Sequence, residues 1–187
     1  QLGKHEKIDE HTTFCLASVS KNITAFLLQK LVDCGKIRWE DKVIKYLPDF
    51  YLISPEITNE LTIEDIVSHR CGLKHFSGDS LVGLGFSRQE IIDALSKLPH
   101  DRIFRVNYTY QNQIFGLSSL IIEKVCGKSV NEVMKEYIFS PLEMSDSSCG
   151  MPKKPWFSWF FKNNMAFLAL VLGSFNLPTF TTFNNNK

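Results

Sequence analysis

Apolar positions recur at helical spacing over most of the chain. In residues 20–32 the set Ile23, Phe26, Leu27 and Leu31 keeps one face, and Gly35 is placed to end that helix in a left-handed conformation. Residues 36–48 predict a turn and then a short helix stopped by Pro48. Residues 61–69 predict another helix, with Thr62 and Asp65 as a capping pair and Gly72 closing it. Residues 77–86, with Gly78, Gly83 and Gly85, read as a flexible loop. Ser87 and Glu90 form a capping box for a helix over residues 89–98, with Ile91, Ile92 and Leu95 inward and Pro99 as its stop. The most apolar helix spans residues 114–125 and ends at Gly127; one more covers residues 131–138 before Pro141. The pattern is predominantly helical, without an internal repeat and with little room for a sheet.

Composition narrows this picture slightly. With 187 residues, 44% of them hydrophobic and 22% charged, the chain is long enough for one domain with a real core. A net charge of +1 and the absence of a basic stripe exclude a nucleic-acid partner on electrostatic grounds. Cys15, Cys34, Cys71, Cys126 and Cys149 are scattered without C-x-x-C spacing, so they read as small buried hydrophobes, and no metal or organic cofactor is expected. Residues 1–11 are polar and read as a loop.

Candidate chemistry sits where the first strong helix begins. Ser18 and Lys21 form an S-x-x-K pair, and a spacing of three puts both side chains on one helical face. A serine hydroxyl is a poor nucleophile until a base takes its proton, and a lysine serves as that base only where its surroundings favour the neutral form. By themselves these residues are equally well read as a helix N-cap and a solvated lysine. The phrase around them, F-x-x-A-S-V-S-K-x-x-T-A, resembles the nucleophile segment of the serine β-lactamase and penicillin-binding-protein family, in its class C-like branch with related D,D-peptidases and esterases.

Further phrases extend the resemblance. Leu61, Thr62, Ile63, Ser68, His69, Gly72 and Leu73 match L-T-I-x-x-x-x-S-H-x-x-G-L, with Arg70 and Cys71 where the family has small hydroxylated residues. His69 is read either as catalytic or as a helix-end histidine bonded to backbone. Tyr110-Gln111-Asn112 resembles the family's Y-x-N tripeptide, which projects into the same cleft as the S-x-x-K pair. Taken singly, Tyr110 is also read as a half-buried aromatic and Asn112 as an N-cap. Pro141-Leu142-Glu143-Met144 resembles P-L-G-M, with Glu143 replacing the glycine.

The resemblance implies an α+β fold of the β-lactamase/D,D-peptidase type, represented mainly by its helical portion over residues 12–150. It also implies a serine hydrolase acylated at Ser18 by a β-lactam, peptide or ester substrate. Lys21 would be the base, Tyr110 the proton relay and Asn112 the substrate contact, in a periplasmic or other extracytoplasmic setting. The family's third element, a K-T-G or H-x-G-like tripeptide on a sheet strand, has no match in the chain. Without that sheet, Phe26, Leu27 and Leu31 need other cover. A catalytically impaired protein of the same fold, one that binds cell-wall ligands or membrane, therefore stands as the alternative, as does a small-ester hydrolase. Residues 151–187 fall outside the pattern. Trp156, Phe157, Trp159, Phe160 and Phe161 precede a short apolar run over residues 165–173, shorter than the ~20 residues of a spanning helix, so contact with a membrane surface is one reading there and an unrelated or frame-altered ending the other.

Overall fold

The structure, a computed structural model, describes residues 7–9 and 11–150. A 3-10 turn at Ala17–Val19 leads into α1 (Ser20–Asp33). Then follow α2 (Val43–Tyr46), α3 (Pro55–Glu60), α4 (Ile63–Val67), α5 (Asp79–Gly83), α6 (Arg88–Leu95), α7 (Asn112–Cys126) and α8 (Val130–Met134), which runs on as a π-helical turn, Lys135–Phe139. Among the described residues there is no strand, only one isolated antiparallel bridge between Lys42 and Thr62. The described chain is the helical portion that the resemblance implies.

α7 is the axis of the packing. Its residues 112–119 are all buried, and α1, α2, α4 and α8 pack against it. Leu27, Leu28 and Leu31 of α1 are fully buried in the core they share with Phe115, Leu117 and Ile121 of α7. Each such leucine contributes about 2 kcal/mol through lost apolar surface. The other cover that the α1 face needs is supplied for Leu27 and Leu31 by the other helices. Phe26, grouped with them by spacing, is 52% exposed, because it points away from α7 on the opposite flank.

Local chemistry sets most of the element ends. Thr62 and Asp65 form a reciprocal capping box on α4, Ser87 and Glu90 on α6, and Ser129 and Glu132 on α8. Gly35 and Gly127 take positive φ after α1 and α7, as the pattern predicts. Two readings need correction. The stretch read as a loop contains α5, which begins at Asp79 directly after Gly78. α4 is closed by His69 and not by Gly72: His69 has φ 60°, and the amides of His69 and Arg70 bond to the carbonyls of Ile66 and Asp65. Gly72 serves close packing instead, since a Cβ there would lie 3.1 Å from the Arg102 carbonyl oxygen. Helix α3 was not visible in the apolar pattern; Ser54 caps it and Pro55 opens it.

Candidate active site

The backbone turns sharply before the nucleophile candidate. Ala17 has φ 46°, a left-handed conformation that costs an alanine about 1 kcal/mol, and the Ser20 hydroxyl donates back to the Ala17 carbonyl. This turn lifts Ser18 off the start of α1 and leaves its side chain half-buried, facing the loop before α7. Neither Val19 nor Leu16 caps with its side chain, so the serines at 18 and 20 are not N-caps.

The structure brings all four sequence-predicted residues together. Lys21 is buried, and its Nζ donates to Asn112 Oδ1 at 2.7 Å and to Ser18 Oγ at 3.3 Å. The Tyr110 hydroxyl donates to the same Ser18 Oγ at 2.6 Å. Lys21 Nζ also stands 4.9 Å from the Tyr110 ring centroid and 5.5 Å from that of Phe115, within cation–π range. Asn112 is the first residue of α7, yet its amide faces the cleft and does not cap the helix.

His69 serves the site without touching Ser18. Its carbonyl accepts from the Thr109 amide at 2.8 Å and its Nδ1 accepts from the Gln111 amide at 3.2 Å. Tyr110 itself is held between His75, whose Nδ1 accepts the Tyr110 amide at 2.9 Å, and the Phe76 amide, which donates to the Tyr110 carbonyl at 2.9 Å. The His69 ring stacks 4.7 Å from Tyr110. Burial, then the nearby charges of Lys21 and His75, pull its pKa down to about 4, so it is neutral at pH 7. The backbone-bonded reading of this histidine is the one realised.

One buried group was missed. Asp79, 2% exposed, accepts from Asn112 Nδ2 at 2.6 Å and from Gln113 Nε2 at 2.8 Å. Its residue type in a glycine-punctuated stretch gave no signal of that partnership. Among the described residues no cluster of three or more His, Cys, Asp or Glu is arranged to hold a metal ion.

The Beta-lactamase family model matches residues 1–156. The chain belongs to the Beta-lactamase family. Curated relatives include an unguisins hydrolase of Aspergillus campestris, 35% identical over 145 residues, which are 73% of this chain and 27% of the relative. Penicillin-binding protein 4 of Amycolatopsis lactamdurans is 27% identical over 148 residues, 78% of this chain and 38% of that protein. Among solved structures, a β-lactamase/D-alanine carboxypeptidase from Yersinia pestis superposes with a TM-score of 0.72 at 16% identity, over 97% of this chain and 53% of its own. That likeness fixes the fold as the β-lactamase and penicillin-binding type. The chain therefore spans about a quarter to a half of the length of these Beta-lactamase family relatives. The family match also extends a little beyond the residues 12–150 that carry the motifs.

Proposed function

We propose that Ser18 is the nucleophile of a serine hydrolase acting on a β-lactam, a peptide-like amide or an ester. One observation carries this reading: Ser18 Oγ is met at once by the Tyr110 hydroxyl at 2.6 Å and by Lys21 Nζ at 3.3 Å, in a cleft that buries the lysine. Ser18 Oγ attacks the substrate carbonyl while Lys21 Nζ takes its proton. The Oγ–carbonyl bond forms, the amide or ester bond breaks, and Tyr110 passes its proton to the leaving nitrogen or oxygen while Lys21 returns the Ser18 proton to Tyr110. Water then cleaves the acyl-serine, restoring Ser18 and releasing an acid. Asn112 offers a donor and an acceptor, for the substrate amide and for Lys21. The relatives named as an unguisins hydrolase and as a penicillin-binding protein support amide-type carbonyl chemistry.

A fluorescent penicillin tests the reading. Covalent labelling of the wild type is expected, with loss of labelling in Ser18→Ala and retention in Ser20→Ala, whose hydroxyl is turned onto the Ala17 carbonyl. Equal labelling of Ser18→Ala would overturn the assignment.

The same reading sets the protein outside the cytoplasm, where such substrates occur. Among the described residues no helix is long and apolar enough to cross a membrane. The aromatic stretch beginning at Trp156 lies outside the described residues, and its composition supports contact with a bilayer surface. Flotation with liposomes is expected for the full chain and not for a chain ending at Met151; equal behaviour of the two removes the membrane contact.

A further inference from the structure

Asp79 is a buried carboxylate that no cation among the described residues contacts directly. It accepts from two side-chain amides, Asn112 Nδ2 at 2.6 Å and Gln113 Nε2 at 2.8 Å. Gly78, at φ 81°, seats the aspartate tightly: a Cβ there would lie 3.1 Å from Leu95 and 3.2 Å from the Gln113 side chain. The Asn112 amide thus stands between two groups of fixed polarity. With its lone pair kept for the Ser18 proton, Lys21 Nζ has only N–H bonds to offer Asn112, and an ionised carboxylate only accepts. One orientation of the amide satisfies both, with Oδ1 toward Lys21 and Nδ2 toward Asp79. The reversed amide would set NH2 against the lysine N–H and carbonyl against the carboxylate.

A neutral asparagine at 79 would avoid the desolvation of a buried charge. It could turn either its carbonyl or its NH2 toward Asn112, so it would not dictate the amide's orientation. The acceptor-only character of the carboxylate is what this position uses. Burial holds the Asp79 carboxyl above its ordinary range against the bonds from Gln113 and Asn112 and the field of Lys21, which is consistent with a charge kept for its polarity and not for its stability.

We propose that Asp79 is a positioning residue: its carboxylate locks the Asn112 amide with Oδ1 on Lys21 Nζ, and through that amide holds the lysine in line with Ser18 Oγ. This rests on Ser18 and Lys21 acting as nucleophile and base. It predicts that Asp79 acts only through Asn112.

A double-mutant cycle on the rate of penicillin acylation tests this. Asp79→Asn is expected to slow acylation by on the order of 10- to 100-fold, the range for a lost charge-assisted hydrogen bond. In an Asn112→Ala background the same substitution should change the rate less than about twofold. In parallel, the Asn112 side-chain amide signals in a 15N NMR spectrum are expected to shift and broaden in Asp79→Asn, while the backbone spectrum stays native. Asp79→Ser is the second variant where Asp79→Asn loses that spectrum. Independent, multiplicative effects on rate, or an unperturbed Asn112 amide, would overturn the proposal. A wild type that never acylates would instead overturn the serine-hydrolase reading, and the Asn112 signals would still decide the case for Asp79.

Discussion

Two aspartates of this molecule are buried to the same degree and live in opposite environments. Asp65 and Asp79 are each 2% exposed. Asp65 caps α4 by accepting from the Thr62 amide at 3.0 Å and hydroxyl at 2.8 Å, and it meets the Arg105 guanidinium at 2.9 Å and 3.1 Å. Burial pushes its carboxyl up, but the Arg105 and Thr62 bonds together outweigh burial and hold it below the ordinary range. Among the described residues Asp79 meets side-chain amides, and burial wins there: its carboxyl is held above the ordinary range. The same residue type at the same depth is a structural tie in one place and a strained orienting charge in the other. What separates them is a directly bonded cation.

The sharpest break of this comparison is in stability. Asp65→Asn removes the charge that Arg105 and the α4 cap require and should destabilise the chain by about 3 kcal/mol, the lower range for a disrupted buried pair because Arg105 is itself partly exposed. Asp79→Asn should change stability by less than about 1 kcal/mol, because it also removes a desolvated charge. Urea denaturation of both variants at pH 7 measures the difference. Equal losses would erase the distinction drawn between the two sites. The signs with pH also oppose. Asp65, lowered in the fold, stabilises above the ordinary carboxylate pKa and loses that contribution as pH falls through its lowered value. Asp79, raised in the fold, favours folding below the ordinary value and loses that contribution as pH rises through its raised one.

Turnover comes next in size. By resemblance, one of two oxyanion donors lies on the strand bearing the K-T-G-like tripeptide, and the chain contains no such tripeptide. A single missing donor lowers rates on the order of 100- to 1,000-fold. Hydrolysis of a chromogenic cephalosporin by these 187 residues is therefore expected at least ~100-fold below that of a family relative that carries the tripeptide, even with Asp79, Asn112 and Lys21 in register. Comparable steady-state turnover numbers would show that the polar cluster suffices without that donor.

What was legible in the sequence follows the same division. The motif residues Ser18, Lys21, Tyr110 and Asn112 were all visible, since each sits in a local phrase whose spacing fixes its geometry. The boxes at Thr62/Asp65 and Ser87/Glu90 and the glycine stops at Gly35 and Gly127 were visible for the same reason: a cap is decided within a few residues. Asp79 was not, because its partners lie more than thirty residues away and helix α5 is only five residues long. Nor was the closure of α4 by His69, where glycine is the usual left-handed residue and the gain comes from a ring that accepts the Gln111 amide. Which element covers Leu27 and Leu31 was not legible, because periodicity shows that a face is apolar and not what packs on it.

His69 offers a smaller pH effect, on the scaffold behind Tyr110. Its pKa of about 4 in the fold lies below the ordinary 6.5, so the folded state binds fewer protons there than the unfolded chain. The resulting stability is complete above pH 6.5 and is lost as pH falls toward 4, amounting to about 2 kcal/mol by pH 5. Urea midpoints from pH 7 to pH 5 should drop accordingly, and His69→Asn should flatten that slope. An unchanged slope in the variant would place the acid sensitivity on other groups.

The smallest expected effect is at Glu143, and it contrasts with His69. Both residues end a helical segment at positive φ, 60° for His69 and 55° for Glu143. At Glu143 the motif is complete: its amide bonds to the Ser140 carbonyl at 3.2 Å, and the Met144 amide to the Phe139 carbonyl at 2.8 Å, with Met144 buried beneath. His69 repays its left-handed backbone with the ring bond to the Gln111 amide, whereas the Glu143 side chain is exposed and makes no ion pair among the described residues. The family phrase P-L-G-M has glycine at this place, and the backbone keeps the shape that glycine would adopt freely. Left-handed geometry costs a side chain about 1–2 kcal/mol, partly offset by the greater freedom glycine regains on unfolding. Glu143→Gly should therefore stabilise the chain by about 0.5–1 kcal/mol, seen as a higher urea midpoint with an unchanged slope. Glu143→Ala removes the charge but keeps the Cβ, so it should give no such gain. If the alanine variant gains as much as the glycine variant, the charge and not the backbone is the source of strain at this turn.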